Sequence, residues 1–122
     1  MKSKKVTFKN KNKEDLIGRL DLPVDKNIHS YAIFAHCFTC NKNLKAIKNI
    51  SDGLTSQGFG VLRFDFTGLG QSDGAFEDTD FSHNVDDLLA ASQFLETNYQ
   101  APILIIGHSL GGTASIFAAH QL

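Results

Sequence analysis

The sequence has 122 residues, of which 42% are hydrophobic, and its formal net charge is −1. This length suits one domain, and the near-neutral charge gives no reason to expect a nucleic-acid partner. Because no apolar run approaches the ~18 residues of a membrane span and the N-terminus lacks the apolar segment of a signal peptide, we expect a single-domain cytoplasmic protein without a membrane partner.

The first predicted elements are two strands that form an antiparallel hairpin. In residues 4–10, Val6 and Phe8 alternate with polar residues, as in a half-buried strand. Residues 16–23 form the second strand, which Pro23 ends. Six of the twelve basic residues lie in the first thirteen positions. We favour lysines on an edge strand, where they deter aggregation, over an arm that binds a polyanion.

Three short, nearly continuous apolar segments follow the hairpin, at residues 31–36, 59–64 and 102–107. Strands of this composition are buried on both faces, which is typical of a parallel sheet covered by helices. We therefore expect these three segments to form the parallel part of the sheet, covered by helices.

Helical patterns lie between these strands. Apolar residues recur at helical spacing in residues 44–57 and 81–99, and Gly58 stands where a glycine cap ends a helix. A last helix is predicted from about Leu110. The order β-β-β-α-β-α-β-α predicts an α/β protein, a three-layer sandwich whose mostly parallel sheet carries an antiparallel N-terminal hairpin.

The motif G-x-S-x-G stands between the last predicted strand and the last predicted helix, at residues 107–111. A serine nucleophile needs a sharp turn that holds it clear of the sheet. Gly107 and Gly111 remove side chains that would collide with the neighbouring strand and helix, and the helix N-terminus adds free N–H groups. We predict that Ser109 is a nucleophile and that His108 points away from it. A small-residue turn that only closes a βα unit is the alternative.

The loop after the first apolar strand reads HCFTC, at residues 36–40. Acyl transfer needs two N–H donors directed at the developing oxyanion, and we expect these from the backbone of Phe38 and Leu110. The same loop contains C-x-x-C, a spacing that suits redox or metal chemistry, although zinc sites need closer to four ligands. A thiol or redox function at Cys37 and Cys40 is the alternative, as is simple packing of these residues under the site.

The loop after the second apolar strand, RFDFTGLGQSDG at residues 63–74, is predicted to border the same site. It lacks the third glycine of a dinucleotide loop and the G-K-[ST] of a phosphate loop, and we expect Asp65 to fasten it by hydrogen bonds. Acidic residues follow without the spacing of a calcium loop, so we interpret them as a solvated loop and helix start and expect no metal or cofactor. They are Asp73, Glu77, Asp78, Asp80, Asp86 and Asp87.

In this order, the three loops resemble the N-terminal half of the α/β-hydrolase superfamily. The peptides HCFTCNKNLKAIKNIS and LRFDFTGLGQSDG are similar to the hydrolase domain of bacterial α/β-hydrolase/OsmC-like fusion proteins, although most superfamily members have glycine where Cys37 stands. The resemblance implies Ser109 as nucleophile, Phe38 and Leu110 as oxyanion donors, a structural His36, a small-molecule acyl ester substrate and the strand order 1-2-4-3-5. It also implies an acid and a histidine after the nucleophile.

The five histidines offer no comfortable base for Ser109, and His36 is the least unsuitable of them. We therefore expect residues 1–122 to be the N-terminal part of a larger ester or thioester hydrolase, with acid and base beyond Leu122. The alternative is a non-catalytic domain that needs its C-terminal half or a partner. The strand at 103–107 would then be an apolar sheet edge, which predicts self-association.

Overall fold

The computed structural model describes residues 2–24, 27–35, 45–67, 72, 74 and 81–107. The strands and helices within them are β1 (Lys2–Lys9), β2 (Asp15–Leu22), β3 (Ser30–Ala35), α1 (Lys45–Ser56), β4 (Phe59–Phe64), α2 (Phe81–Asn98) and β5 (Leu104–Gly107). They confirm the predicted element order as far as β5. The helix predicted from Leu110 lies outside the described residues.

The strands form one mixed sheet in the order β1-β2-β4-β3-β5. β1 and β2 make the predicted antiparallel hairpin, and β2 also pairs antiparallel with β4. β3 runs parallel to both β4 and β5. The sheet therefore confirms the strand order that the α/β-hydrolase resemblance implies, and β3 lies between the two other parallel strands.

The two helices cover opposite faces of the sheet, because successive side chains of a strand point to opposite sides. On one face, Val61 of β4 packs with Ile47 of α1. On the other face, Leu62 of the same strand packs with Val85 and Leu88 of α2. These two cores on either side of one sheet confirm the predicted three-layer α/β architecture.

The lysine-rich strand β1 lies at one edge of the sheet. Val6 and Phe8 are buried, and the Phe8 ring contacts the rings of Phe64 and Phe94 at centroid distances of 5.6 and 5.3 Å. Four lysines of β1 are exposed. They are Lys2, Lys4, Lys5 and Lys9. The lysines thus decorate an edge strand, as predicted. No helix in the described part of the chain is long and apolar enough to cross a bilayer.

A buried ion pair joins β2 to β4. The Arg63 side chain donates from Nε to Asp21 Oδ2 at 2.6 Å and from Nη2 to Asp21 Oδ1 at 3.3 Å. Ser51 of α1 donates to the same carboxylate at 2.5 Å. Burial raises the pKa of Asp21, but hydrogen bonds from Arg63, Ser51 and Ser3 outweigh it, so the pKa lies below its ordinary value. The Asp21 carboxylate therefore joins α1 to β2 and β4.

Gly58 ends α1, as predicted. Its φ of +92° lies in the left-handed region, and its N–H donates to the Thr55 carbonyl at 3.0 Å. A β-carbon at Gly58 would lie 2.6 Å from the His29 ring. Replacing Gly58 with alanine should therefore lower the free energy of unfolding by about 1–2 kcal/mol, the cost of a left-handed residue with a side chain.

Gly53 is the matched control for this substitution. It lies on the exposed surface of α1, and no atom lies within 4 Å of the β-carbon that alanine would add. Because glycine is unfavourable inside a helix, Gly53→Ala should raise the free energy of unfolding by roughly 0.5–1 kcal/mol. Urea denaturation of both variants measures the two changes, and a loss of stability in both would contradict this account of the helix end.

Candidate active site

Two parallel strands end side by side, each directly before a predicted site segment. β3 ends at Ala35 and β5 ends at Gly107, and these two residues are partners in the parallel register. The two strands therefore end at neighbouring points, and in the sequence the HCFTC segment follows Ala35 while Ser109 follows Gly107 by two positions. This common origin is what an oxyanion loop and a nucleophile turn require.

Gly107 is the predicted site residue whose backbone the structure describes. The other predicted site residues lie outside the described residues, and the structure tests none of their roles. They are Ser109, Phe38, Leu110, His36, His108 and Gly111, with Cys37 and Cys40 of the thiol alternative.

The segment that follows β4 is held by buried hydrogen bonds from two sides. The N–H and the Oγ1 hydroxyl of Thr67 both donate to Asp87 Oδ2, at 2.8 and 2.7 Å. Asn10 Nδ2 donates to Thr67 Oγ1 at 3.1 Å. All three residues are buried. Thr67 is therefore fixed between the hairpin turn and α2, three positions beyond the end of β4.

Ser72 joins the same segment to β2. Its hydroxyl accepts from the Ile17 N–H at 2.9 Å and donates to the Asp65 carbonyl. The Asp65 N–H in turn donates to the Ile17 carbonyl at 3.0 Å. The prediction that Asp65 fastens this loop by hydrogen bonds is confirmed for its backbone groups.

Asn10 is a positioning residue that sequence reasoning missed. Its Oδ1 accepts from the N–H groups of Asn12 and Glu14, both at 2.9 Å, and its Nδ2 donates to Glu14 Oε1 and to Thr67. An asparagine at the start of a turn often accepts from its own backbone two residues on. That signal predicts the local turn, whereas the bond to Thr67 depends on the tertiary fold.

The interpretation of Asp87 as part of a solvated helix start is wrong. Asp87 is fully buried in the second turn of α2. Its carboxylate points inward and accepts hydrogen bonds from Thr67, which a solvated side chain would not do. Burial raises the pKa of Asp87, and the hydrogen bonds from Thr67 only partly offset this. Asp86 is half-buried instead and pairs with Lys11 at 3.8 Å.

His29 lies at the end of the sheet opposite Gly107. It precedes the amino end of β3, where Nε2 lies 2.7 Å from the Gln57 carbonyl and Nδ1 lies 3.1 Å from the Ser30 hydroxyl. The five steps from Ser30 to Ala35 span about 16 Å of strand. This supports the sequence argument that His29 is not the base.

Comparisons with known proteins identify the family of this fold. Residues 32–121, most of the chain, match the family model described as serine aminopeptidase, S33. A search of curated proteins gives no match. Among solved structures, the esterase domain of a Rhodothermus marinus protein is 52% identical with a TM-score of 0.79, and the similarity covers 99% of this chain and 48% of that one.

Two further solved structures are similar at lower identity. A serine hydrolase without a lid from Xanthomonas campestris is 26% identical, with a TM-score of 0.84 over all of this chain and 57% of that one. Est1E from Butyrivibrio proteoclasticus, with ferulic acid bound, is 26% identical, with a TM-score of 0.86 over 95% of this chain and 47% of that one. The chain spans about half the length of these structures. It belongs to the α/β-hydrolase superfamily, in the family described as serine aminopeptidase, S33.

Proposed function

We propose that the whole protein containing this chain is a serine hydrolase of ester or thioester bonds, with Ser109 as its nucleophile. The observation that carries the proposal is the pairing of Ala35 with Gly107 at the carboxyl ends of β3 and β5. It gives the HCFTC loop and the G-x-S-x-G motif a common origin. The 52% identity to an esterase domain supports the same reaction class.

In the proposed mechanism, Ser109 Oγ attacks the acyl carbon while a general base takes the hydroxyl proton. The negative charge that develops on the carbonyl oxygen accepts hydrogen bonds from the N–H groups of Phe38 and Leu110. The tetrahedral intermediate collapses, and the leaving alcohol or thiol receives the proton from the base. Water, activated by the same base, then releases the carboxylic acid and restores the Ser109 hydroxyl.

The acid and the base of this mechanism are proposed to come from the part of the whole protein C-terminal to Leu122. In α/β-hydrolases the chain order is serine, then aspartate or glutamate, then histidine. His29 lies at the opposite end of the sheet from Gly107, which supports a base other than His29. We therefore propose that residues 1–122 alone do not contain a complete catalytic triad.

The predicted self-association remains a proposal for residues 1–122 by themselves. Within the described residues β5 pairs with β3 only, and Ile103 and Leu104 beside and within it are 70% and 37% exposed. An apolar strand edge of this kind favours pairing with another strand. In the whole protein, the same edge is available to further strands of the same domain.

A fluorophosphonate probe tests the proposed nucleophile. The whole protein should form a covalent adduct on the peptide that contains Ser109, and Ser109→Ala should abolish labelling. The double variant Cys37→Ser, Cys40→Ser should keep the labelling and the activity of the wild type. A thiol function would instead predict lost activity in that variant. Undiminished labelling of Ser109→Ala would remove Ser109 as the nucleophile.

A further inference from the structure

Two buried oxygens on α2 lack a hydrogen-bond donor in the described part of the chain. They are Asn84 Oδ1 and Asp87 Oδ1, and the two residues are 4% and 0% exposed. Residues three apart on a helix are neighbours on one face. A buried acceptor without a donor is costly, and one hydrogen atom placed between two such acceptors on the same helix face would serve both.

The hydrogen bonds of Asp87 show which oxygen can carry that hydrogen. Asp87 Oδ2 already accepts from the N–H and the hydroxyl of Thr67, so it acts as a carbonyl-like acceptor. Asp87 Oδ1 has no partner among the described residues. A carboxyl group becomes a donor when it is protonated, so a proton on Oδ1 would supply a donor on the helix face that Asp87 shares with Asn84.

The charged groups around Asp87 do not supply this donor. On α2, the charge of His83 favours the ionised form of Asp87 and that of Asp86 favours the neutral form. On the hairpin turn, Lys11 pairs with Asp86, and Glu14 is bonded to Asn10. The rise in the pKa of Asp87 that burial causes is consistent with a retained proton.

We propose that Asp87 keeps a proton on Oδ1 in the folded protein, shares it with Asn84 Oδ1, and thereby positions Thr67 beside the candidate active site. Thr67 belongs to the segment that follows the carboxyl end of β4, and Gly107 lies at the carboxyl end of β5. Because these strands run parallel, both residues lie at the same end of the sheet. Ionisation of Asp87 places a charge against an unpaired acceptor and loosens the anchor of Thr67. The effect on catalysis rests on the proposed function, whereas the effect on stability does not.

Asp87→Asn tests the proton directly, because an amide reproduces the neutral acid. Its oxygen accepts both Thr67 donors, and its NH₂ donates to Asn84 Oδ1. An acid whose folded pKa is raised stabilises the fold below its unfolded pKa of about 3.9 and loses this contribution as pH rises through the folded pKa. The thermal midpoint of Asp87→Asn in the whole protein should therefore equal or exceed that of the wild type at pH 7. The difference between the two midpoints should grow as pH rises from the unfolded pKa of Asp87 to its folded pKa.

Two variants complete the stability test. Asp87→Ala removes the acceptor of both Thr67 donors and should lower the midpoint at every pH by about 4–8 °C. Asp86→Asn changes the neighbouring, half-buried acid and should shift the midpoint little. A drop in Asp87→Asn as large as in Asp87→Ala, or failure of Asp87→Asn to fold, would show that Asp87 is ionised or that the Asn84 amide is turned to donate to it. Either result overturns the proposal.

The activity arm separates a positioning role from a purely structural one. Asp87→Asn should keep the wild-type kcat/KM near neutral pH and lose any decline caused by ionisation of Asp87 at higher pH. Thr67→Val should lower kcat/KM several-fold, and Thr67→Ser should restore it. If Thr67→Val leaves kcat/KM unchanged while the midpoints follow Asp87 as expected, the positioning role is overturned. If the fluorophosphonate probe does not label Ser109 of the wild-type protein, the proposed function is overturned and the stability result still stands.

Discussion

Replacing Ser109 with alanine in the whole protein should lower kcat for ester hydrolysis on the order of a million-fold, the loss typical when a triad nucleophile is removed. Binding and the oxyanion donors remain in this variant, so KM should change far less than kcat. Hydrolysis of short-chain p-nitrophenyl esters, followed with and without the substitution, measures this effect.

Ser115→Ala is the matched control. Ser115 stands six residues further along the same glycine-rich segment of the sequence, and its removal should leave kcat within a few-fold of the wild type. Equal losses in Ser109→Ala and Ser115→Ala would indicate damage to the fold of the segment rather than removal of a nucleophile. Retention of wild-type kcat in Ser109→Ala would refute the catalytic assignment.

Breaking the buried ion pair between Asp21 and Arg63 should destabilise the protein more than any other substitution considered for the described residues. Both side chains are nearly inaccessible to solvent. Removing one partner leaves an uncompensated buried charge, so Arg63→Ala should lower the free energy of unfolding by about 3–5 kcal/mol. Denaturant unfolding of the whole protein measures the loss. The exposed pair of Lys9 with Asp15 provides the contrast, since Lys9→Ala should cost less than about 1 kcal/mol.

A double variant and a pH series separate charge from packing at this pair. Asp21→Leu combined with Arg63→Met should recover most of the stability, because both buried charges are then gone. The folded pKa of Asp21 is depressed, so its contribution is present above the unfolded pKa of about 3.9 and is lost as pH falls through the folded value. Asp21→Asn should therefore cost more at pH 7 than at pH 3. A cost independent of pH would contradict an ionised Asp21.

The architecture could be predicted because periodic patterns in the sequence carry it. The continuous apolar runs predicted the three parallel strands, with β4 at the predicted residues 59–64. The resemblance to α/β-hydrolases added the strand order, in which β3 and β5 are neighbours. Because these two strands are parallel, Ala35 and Gly107 lie at the same end of the sheet. The OsmC-like fusion stays a prediction.

The polar contacts between distant segments could not be predicted in the same way. Asp21 and Arg63 are 42 positions apart, and Thr67 and Asp87 are 20 apart. A charged residue has the same sequence signature whether it is solvated or buried with a partner. The sequence therefore predicts a surface position for Asp87, although its carboxylate lies inside the protein and accepts from the Thr67 backbone N–H, which must find a partner once it is buried.

A crystal structure of the whole protein after reaction with a phosphonate tests the central claim most directly. The account predicts a covalent bond between phosphorus and Ser109 Oγ. It also predicts a phosphonyl oxygen about 2.7–3.1 Å from the backbone nitrogens of Phe38 and Leu110. A covalent adduct on another residue, or a Phe38 N–H directed away from that oxygen, would contradict it.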